Sequence, residues 1–306
     1  MTNQTRPLLQ VDSAQLPLTV QDLGRPGYQH LGIPVSGAMD RYALITGNQL
    51  LNNDPGYAAL EITLGGVSLT FIAKSVICVT GADLNATLDG KRIPLWQTVK
   101  VECGQTLSFE RPLKGARAYL CVSGGIVSQS WLGSQSVFEK GQLGRKLKTG
   151  DQVYATDKVT EAVVEQQLSP DLIPEYTAHM TLRVILSPYA ERLLKESLEH
   201  FFQATYTFQK GDRMGCQLHH DQPLIHQTSD NMVSDVVSYG TIQVPASGQP
   251  MMLLADRQTT GGYTTIGTVI TADHWKCAQL RPGSTIRFQS VSIHDVDQLL
   301  QPWKEK

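Results

Sequence analysis

At 306 residues, the chain is long enough for about two domains of ordinary size. Hydrophobic residues make up 41% and charged residues 18%, and the formal net charge is −2. That balance gives no electrostatic case for nucleic acid or an acidic membrane surface. The sequence has no uninterrupted apolar run of about 18 residues or more, so a helical membrane span is not expected. Its start, MTNQTRPLLQ, lacks the charged and apolar regions of a secretion signal, and the chain reads as cytoplasmic.

Two short strand-like pieces, 8–11 and 18–20, come first. They lead into residues 21–41, QDLGRPGYQHLGIPVSGAMDR, where glycines permit close backbone approach and prolines fix φ. This density of backbone specification predicts a shaped loop presenting Asp22, Arg25, Tyr28, His30 and Arg41 to a ligand or partner. The alternative is an elaborate connector whose polar groups satisfy only its own backbone. Residues 36–53 follow with helical spacing: Ser36 is placed to cap, Asp40 suits the positive helix end, and Asn52 to Gly56 supply breakers.

From 59 to 154 the pattern becomes short aliphatic and β-branched runs, among them LEITL, VSLTFI and ARAYLCVSGG, which argue for a barrel or sandwich. Leu88-Asp89-Gly90-Lys91 is a two-residue hairpin signal. The polar stretch 155–176 is the candidate domain edge. A strand over 181–186 and a helix opened by Ser187-Pro188 come next, and strand-like runs then continue through Ile242-Gln243-Val244 and 251–255.

Two internal echoes point to a duplicated unit. GYQHLGIP (27–34) and GYTTIGTV (262–269) share G-Y-x-x-aliphatic-G, and GQTLSF (104–109) matches GSTIRF (283–288) in character. The five cysteines are scattered, odd in number and never in C-x-x-C spacing. Cys78 and Cys121 sit in apolar runs as small core hydrophobes, so neither a disulfide framework nor a zinc site is expected. His219, His220 and His226 show no metal-ligand spacing, and no metal site is expected.

Several long motifs carry a resemblance: 21–44, LEITLGG, VTGADLNATLDGK, GRKLKTGD, RMGCQL and IQVPASGQPMMLLADRQTTGGYTTIGTVI. Together they resemble the biotin-dependent carboxyltransferase A/B domains, also labelled allophanate hydrolase subunit 2, and among stand-alone chains the C subunits of ATP-dependent 5-oxoprolinases. The resemblance implies a mainly β chain with a few helices, built as two cyclophilin-like β-barrel domains related by internal duplication. With the candidate edge, these are expected at 1–170 and 176–306.

The resemblance also implies membership of a complex that opens 5-oxoproline to glutamate with ATP hydrolysis. A kinase-inhibitor-like B subunit would be one partner and an A subunit the other, and the assembled complex would hold ATP with Mg. The chain lacks a G-x-x-x-x-G-K-[ST] phosphate loop and a Met-Lys-Met hairpin for biotin attachment. Two other readings stay open: a carboxyltransferase component served by a separate biotin carrier, and a non-catalytic regulator that antagonises a kinase-inhibitor-like partner.

Lactam opening needs cations for a carboxylate, donors for developing charge and a base for water. Asp22, His30 and Asp256 are the candidate acid–base groups. Arg25, Tyr28, Arg41, Arg257, Thr259, Thr260, Gly261 and Tyr263 are the candidate substrate-binding set, since arginine suits bidentate anion recognition and T-T-G-G can turn successive N–H groups toward an anion. Each has a plainer alternative: an ion pair of Arg257 with Asp256 or Arg41 with Asp40, a hydrogen-bonded structural His30, and a tight barrel turn at 259–262.

Overall fold

The computed structural model describes residues 5–157, 164–228 and 231–299. It separates into one unit of Met1–Arg25 with Ser36–Tyr176, and another of Pro26–Val35 with Thr177–Lys306. Residues 158–163 of the polar stretch expected as a domain edge lie outside the described residues.

The first unit carries β1 (Thr5–Ala14), β2 (Leu18–Gln21), α1 (Arg41–Leu50), β3 (Ala59–Thr63), β4 (Val67–Phe71) and β5 (Ser75–Asp83). It continues through β6 (Thr87–Leu88), β7 (Lys91–Arg92), β8 (Thr98–Val101), β9 (Thr106–Phe109), β10 (Lys114–Val122), β11 (Ile126–Val127) and β12 (Gln152–Thr156). One sheet runs β11-β12-β1-β4-β9-β6-β7 and the other β2-β3-β10-β5-β8. Both turn apolar residues into a common core: Leu69, Phe71 and Leu107 from the first, and Ile62, Val79 and Leu120 from the second. β4 shows the alternation that makes this work. Val67, Leu69 and Phe71 point inward, while Ser68 and Thr70 meet Ser108 and Thr106 across the strand pair at 3.4 and 3.1 Å.

The expected hairpin forms between β6 and β7, with Asp89 and Gly90 both at positive φ, as a type I′ turn requires. Helix α1 lies against β5 and β10. Gly47 makes that approach feasible, because a Cβ there would stand 2.7 Å from Cys121 Sγ. Cys78 and Cys121 are buried. Burial pushes the Cys78 thiol up to about 12 and raises Cys121 as well, as befits core packing rather than reactivity.

The second unit holds β13 (His179–Leu186), α2 (Lys195–Gln203), β14 (Tyr206–Gly211), β15 (Gly215–His219), β16 (Asn231–Val236) and β17 (Thr241–Val244). After these come β18 (Met251–Leu253), β19 (Thr260–Val269), α3 (His274–Ala278), β20 (Thr285–Ser290) and α4 (Ile293–Leu299). Here β13-β20-β14-β15-β18-β17-β19 close through a β13–β19 pairing into a seven-stranded barrel, with β16 added outside β19. The expectation of a mainly β chain with barrel architecture is met. Helix α2 packs on β20 through Phe201 stacked on Phe288, ring centroids 4.5 Å apart.

Both helices differ from the sequence expectation at their starts. Ser36 does not cap α1: it sits at φ 56, and Asp40 caps instead, accepting from Ala43 N at 3.0 Å. Ser187 does cap, but only a 3-10 turn, Pro188–Arg192. The helix cannot continue because Leu193 and Leu194 are extended and Leu193 bridges to His226. Strand pairing there overrides helical periodicity.

Candidate functional site

The glycine-rich loop is anchored where it leaves β2. Asp22 is buried, and its Oδ1 accepts from Ser134 Oγ at 2.6 Å, Ser136 Oγ at 2.5 Å and Gly24 N at 2.7 Å. Its Oδ2 accepts from Gln135 N at 2.6 Å. Arg25 is also buried, and its guanidinium donates to the carbonyls of Trp131, at 3.4 Å, and Ser136. Both side chains therefore tie the loop to residues 131–136. A carboxylate that accepts several hydrogen bonds with both oxygens is suited to holding backbone in place.

A buried polar network stands at the start of α1. Tyr119 donates to Glu61 Oε2 at 2.7 Å and accepts from Asp40 N at 2.8 Å, while Met39 N donates to the same Glu61 oxygen at 2.9 Å. Tyr176 donates to Asp40 Oδ2 at 3.0 Å, and Arg117 Nε lies 3.9 Å from Glu61 Oε1. Burial, then the charges of Glu61 and Asp40, raises the Tyr119 phenol well above its ordinary range; burial and Asp40 do the same to Tyr176. Both remain proton donors. Arg41, the first residue of α1, is exposed. A cation there opposes the helix dipole. Desolvation lowers its pKa, and the negative charge of Asp22 opposes that shift. Asp40 spends its carboxylate on Ala43 N and Tyr176.

Tyr28 and His30 lie on Pro26–Val35, which groups with the second unit. The Tyr28 carbonyl accepts from Leu31 N at 3.0 Å and Ile33 N at 3.4 Å, closing a 3-10 turn, Gln29–Leu31, on which His30 is exposed.

In the second unit, Asp256 is buried and held by a fork from Arg213, Nε to Oδ2 at 2.9 Å and Nη2 to Oδ1 at 3.2 Å. The ion pair therefore runs to Arg213 and leaves Arg257 for other work. Arg257 Nε donates to Val237 O at 3.2 Å and Nη1 to Leu254 O at 3.3 Å. Burial lowers its pKa, against the opposing charges of Tyr239 and Asp256. Thr259 O accepts from Val237 N, and Thr260 to Tyr263 enter β19, with Thr260 paired to Val236 and Gly261 to Asp235. As strand residues their successive N–H groups alternate in direction. The expected concavity of consecutive N–H groups is not formed there, nor is a tight turn. Thr260 and Tyr263 are exposed, and Thr259 and Gly261 are half-buried.

The structure thus gathers Asp22 and Arg25 with residues 131–136, and Asp256 and Arg257 with Arg213 and Val237. Sequence reading missed Ser134 and Ser136, the Tyr119–Glu61–Asp40–Tyr176 network and Gln243. The last is a fully buried amide in the strand Thr241–Val244. Polar residues at every second strand position are ordinary, so the pattern alone could not mark it. Among the described residues no group of three or more His, Cys, Asp or Glu is placed to hold a metal ion, and no helix is long and apolar enough to cross a membrane.

Residues 31–290 match the family model "Carboxyltransferase domain, subdomain A and B". The chain is similar to the 5-oxoprolinase C subunit of Haemophilus influenzae, with 37% identity covering 92% of this chain and 90% of the relative. It is also similar to that of Escherichia coli, with 33% identity covering 94% and 93%. Among solved structures, the K. lactis urea amidolyase superposes with a TM-score of 0.88 at 30% identity over 97% of this chain, which spans only 19% of that protein. Family model, relatives and fold agree: the chain belongs to the carboxyltransferase domain, subdomain A and B, family.

Proposed function

We propose that this chain is the C subunit of an ATP-dependent 5-oxoprolinase, opening 5-oxoproline to glutamate together with the A and B subunits. The observation that carries this reading is mutual coverage. Two 5-oxoprolinase C subunits match this chain over at least nine-tenths of both lengths, whereas it corresponds to 16% of the yeast urea amidolyase.

The reaction consumes ATP and two waters and yields ADP, phosphate and glutamate. A γ-phosphoryl group on the lactam oxygen makes the ring carbon electrophilic. Water adds there and the C–N bond breaks, leaving an acyl phosphate that a second water hydrolyses. ATP and its Mg ion are assigned to the assembled complex. Its own contribution is positional and electrostatic. Arg257, with Thr259, Thr260, Gly261 and Tyr263 beside it, offers a cation and donors for the substrate carboxylate. In the segment Pro26–Val35, Tyr28 and His30 present a phenol and an exposed imidazole, of which His30 is the group for proton transfer, and in the first unit Arg41 is a separate candidate cation. Asp22, Arg25 and Asp256 act by holding these loops in shape.

A second reading, carboxyl transfer from biotin on a separate carrier, is favoured by the family model and by the urea carboxylase of Kluyveromyces lactis, which superposes with a TM-score of 0.87. The deciding experiment mixes the chain with its A and B partners, ATP and 5-oxoproline, and measures glutamate. Glutamate release that needs all three chains supports the lactamase reading. Carboxylation with a biotinylated carrier in its place supports the other.

A further inference from the structure

Gln243 lies on β17 between Ile242 and Val244 and has no exposed surface. Its Oε1 accepts a long hydrogen bond from Gln258 Nε2, at 3.5 Å. Among the described residues nothing accepts from its Nε2. A buried amide donor without an acceptor is costly, and native structures rarely keep one without a use.

What lies over this nitrogen is Gly261. A Cβ at that position would stand 2.5 Å from Nε2 and 3.1 Å from Oε1. Gly261 is paired as strand with Asp235 and its φ is outside the left-handed region. The backbone there does not require glycine, but a side chain at 261 would displace the amide beneath it. Gly261 is itself half-buried, and it follows Arg257 and Gln258 within the same short run. The buried donor and the missing side chain over it point to one ligand class, a small molecule bearing carboxylate or amide oxygens.

We propose that Gln243 is a substrate-recognition residue whose Nε2 donates a hydrogen bond to an oxygen of the substrate beside Gly261. The assignment rests on the lactam reading above and deepens it, since 5-oxoproline carries both a carboxylate and a lactam oxygen. Gln258 holds the amide oxygen, and Gly261 is the residue that lies over the amide nitrogen.

The test uses the chain assembled with its partner subunits and compares wild type, Gln243→Met and Gly261→Ala. Methionine keeps the volume and removes the donor. Alanine leaves Gln243 in place but displaces its amide. Both variants should lose about tenfold to a hundredfold in kcat/KM for 5-oxoproline. In thermal unfolding Gln243→Met should be as stable as wild type or more so, because it removes a donor that the fold does not satisfy. Inhibition by L-proline, which has the carboxylate alone, and by 2-pyrrolidone, which has the lactam alone, locates the bond: the inhibitor that Gln243→Met weakens carries the oxygen concerned. Unchanged kcat/KM in Gln243→Met, or a marked loss of its stability, overturns the proposal, the second by making the amide structural. Wild-type complex without 5-oxoproline turnover would instead overturn the lactam reading, and this assignment with it.

Discussion

Tyr119 donates its hydroxyl hydrogen to Glu61 at 2.7 Å while its oxygen accepts the Asp40 N–H at 2.8 Å. One phenol thereby joins β10 and β3 to the cap of α1. Tyr119→Phe removes both bonds from a fully buried site, and the expected loss is about 1–3 kcal/mol of stability, read from the urea midpoint. The same network sets an alkaline limit. Raised folded pKa values for Tyr119 and Tyr176 mean their contribution is intact below the ordinary value of 10.0 and is lost as pH rises above it. Tyr119→Phe should flatten that decline.

In the second unit Asp273 is fully buried, held by Arg183 through Nη2 at 2.7 Å and Nε at 2.9 Å, with Lys276 Nζ at 2.9 Å. Burial alone would raise its pKa, but the hydrogen bonds from Arg183 and Lys276 outweigh burial and hold it below the ordinary 3.8. Its stabilisation is therefore present above that pH and lost as pH falls through the depressed value. Asp273→Asn leaves two cations facing a neutral amide. It should cost about 3 kcal/mol near neutrality and weaken the acid dependence of unfolding, as measured by denaturant titration across pH.

Asp22 separates scaffold from chemistry. If its task is to hold residues 22–25 against Ser134 and Ser136, Asp22→Asn should lower turnover by about tenfold at most, the scale of a weakened hydrogen bond. Removing a true general base costs about a hundredfold to ten-thousandfold. A loss on that larger scale, with the pH–rate profile changed, would make Asp22 the base.

Arg257→Lys keeps a positive charge and loses the planar fork. In the assembled enzyme it should raise KM for 5-oxoproline, with a loss of about tenfold to a hundredfold in kcat/KM. Tyr28→Phe tests the first loop in the same assay. Gel filtration should show both variants still forming the complex. Full activity in both would leave these loops as scaffold, and lost complex formation would make them interface.

The β-rich architecture was legible because alternation in runs such as VSLTF reports directly which side chains face a core. The I′ hairpin was legible because Asp-Gly tolerates positive φ at both positions. Helix starts were less so. Ser36 has the chemistry of a cap, but the loop holds it at φ 56 and hands the role to Asp40. The loops 21–41 and 256–263 stood out through glycine, proline and arginine density. Their anchors did not: Ser134 and Ser136 reach Asp22 over more than a hundred residues, and Arg213 reaches Asp256 over 43. Such pairings arise only when strands bring distant segments together. Asp256 and Arg257 illustrate the limit, since neighbours in sequence turned to different partners.

The most direct test of the account is glutamate release from 5-oxoproline with ATP by this chain combined with its A and B partners, each component also omitted in turn. The account predicts turnover only in the complete mixture, with one ADP formed per glutamate. Full turnover in a mixture lacking this chain would contradict it, as would a complete mixture that forms no glutamate.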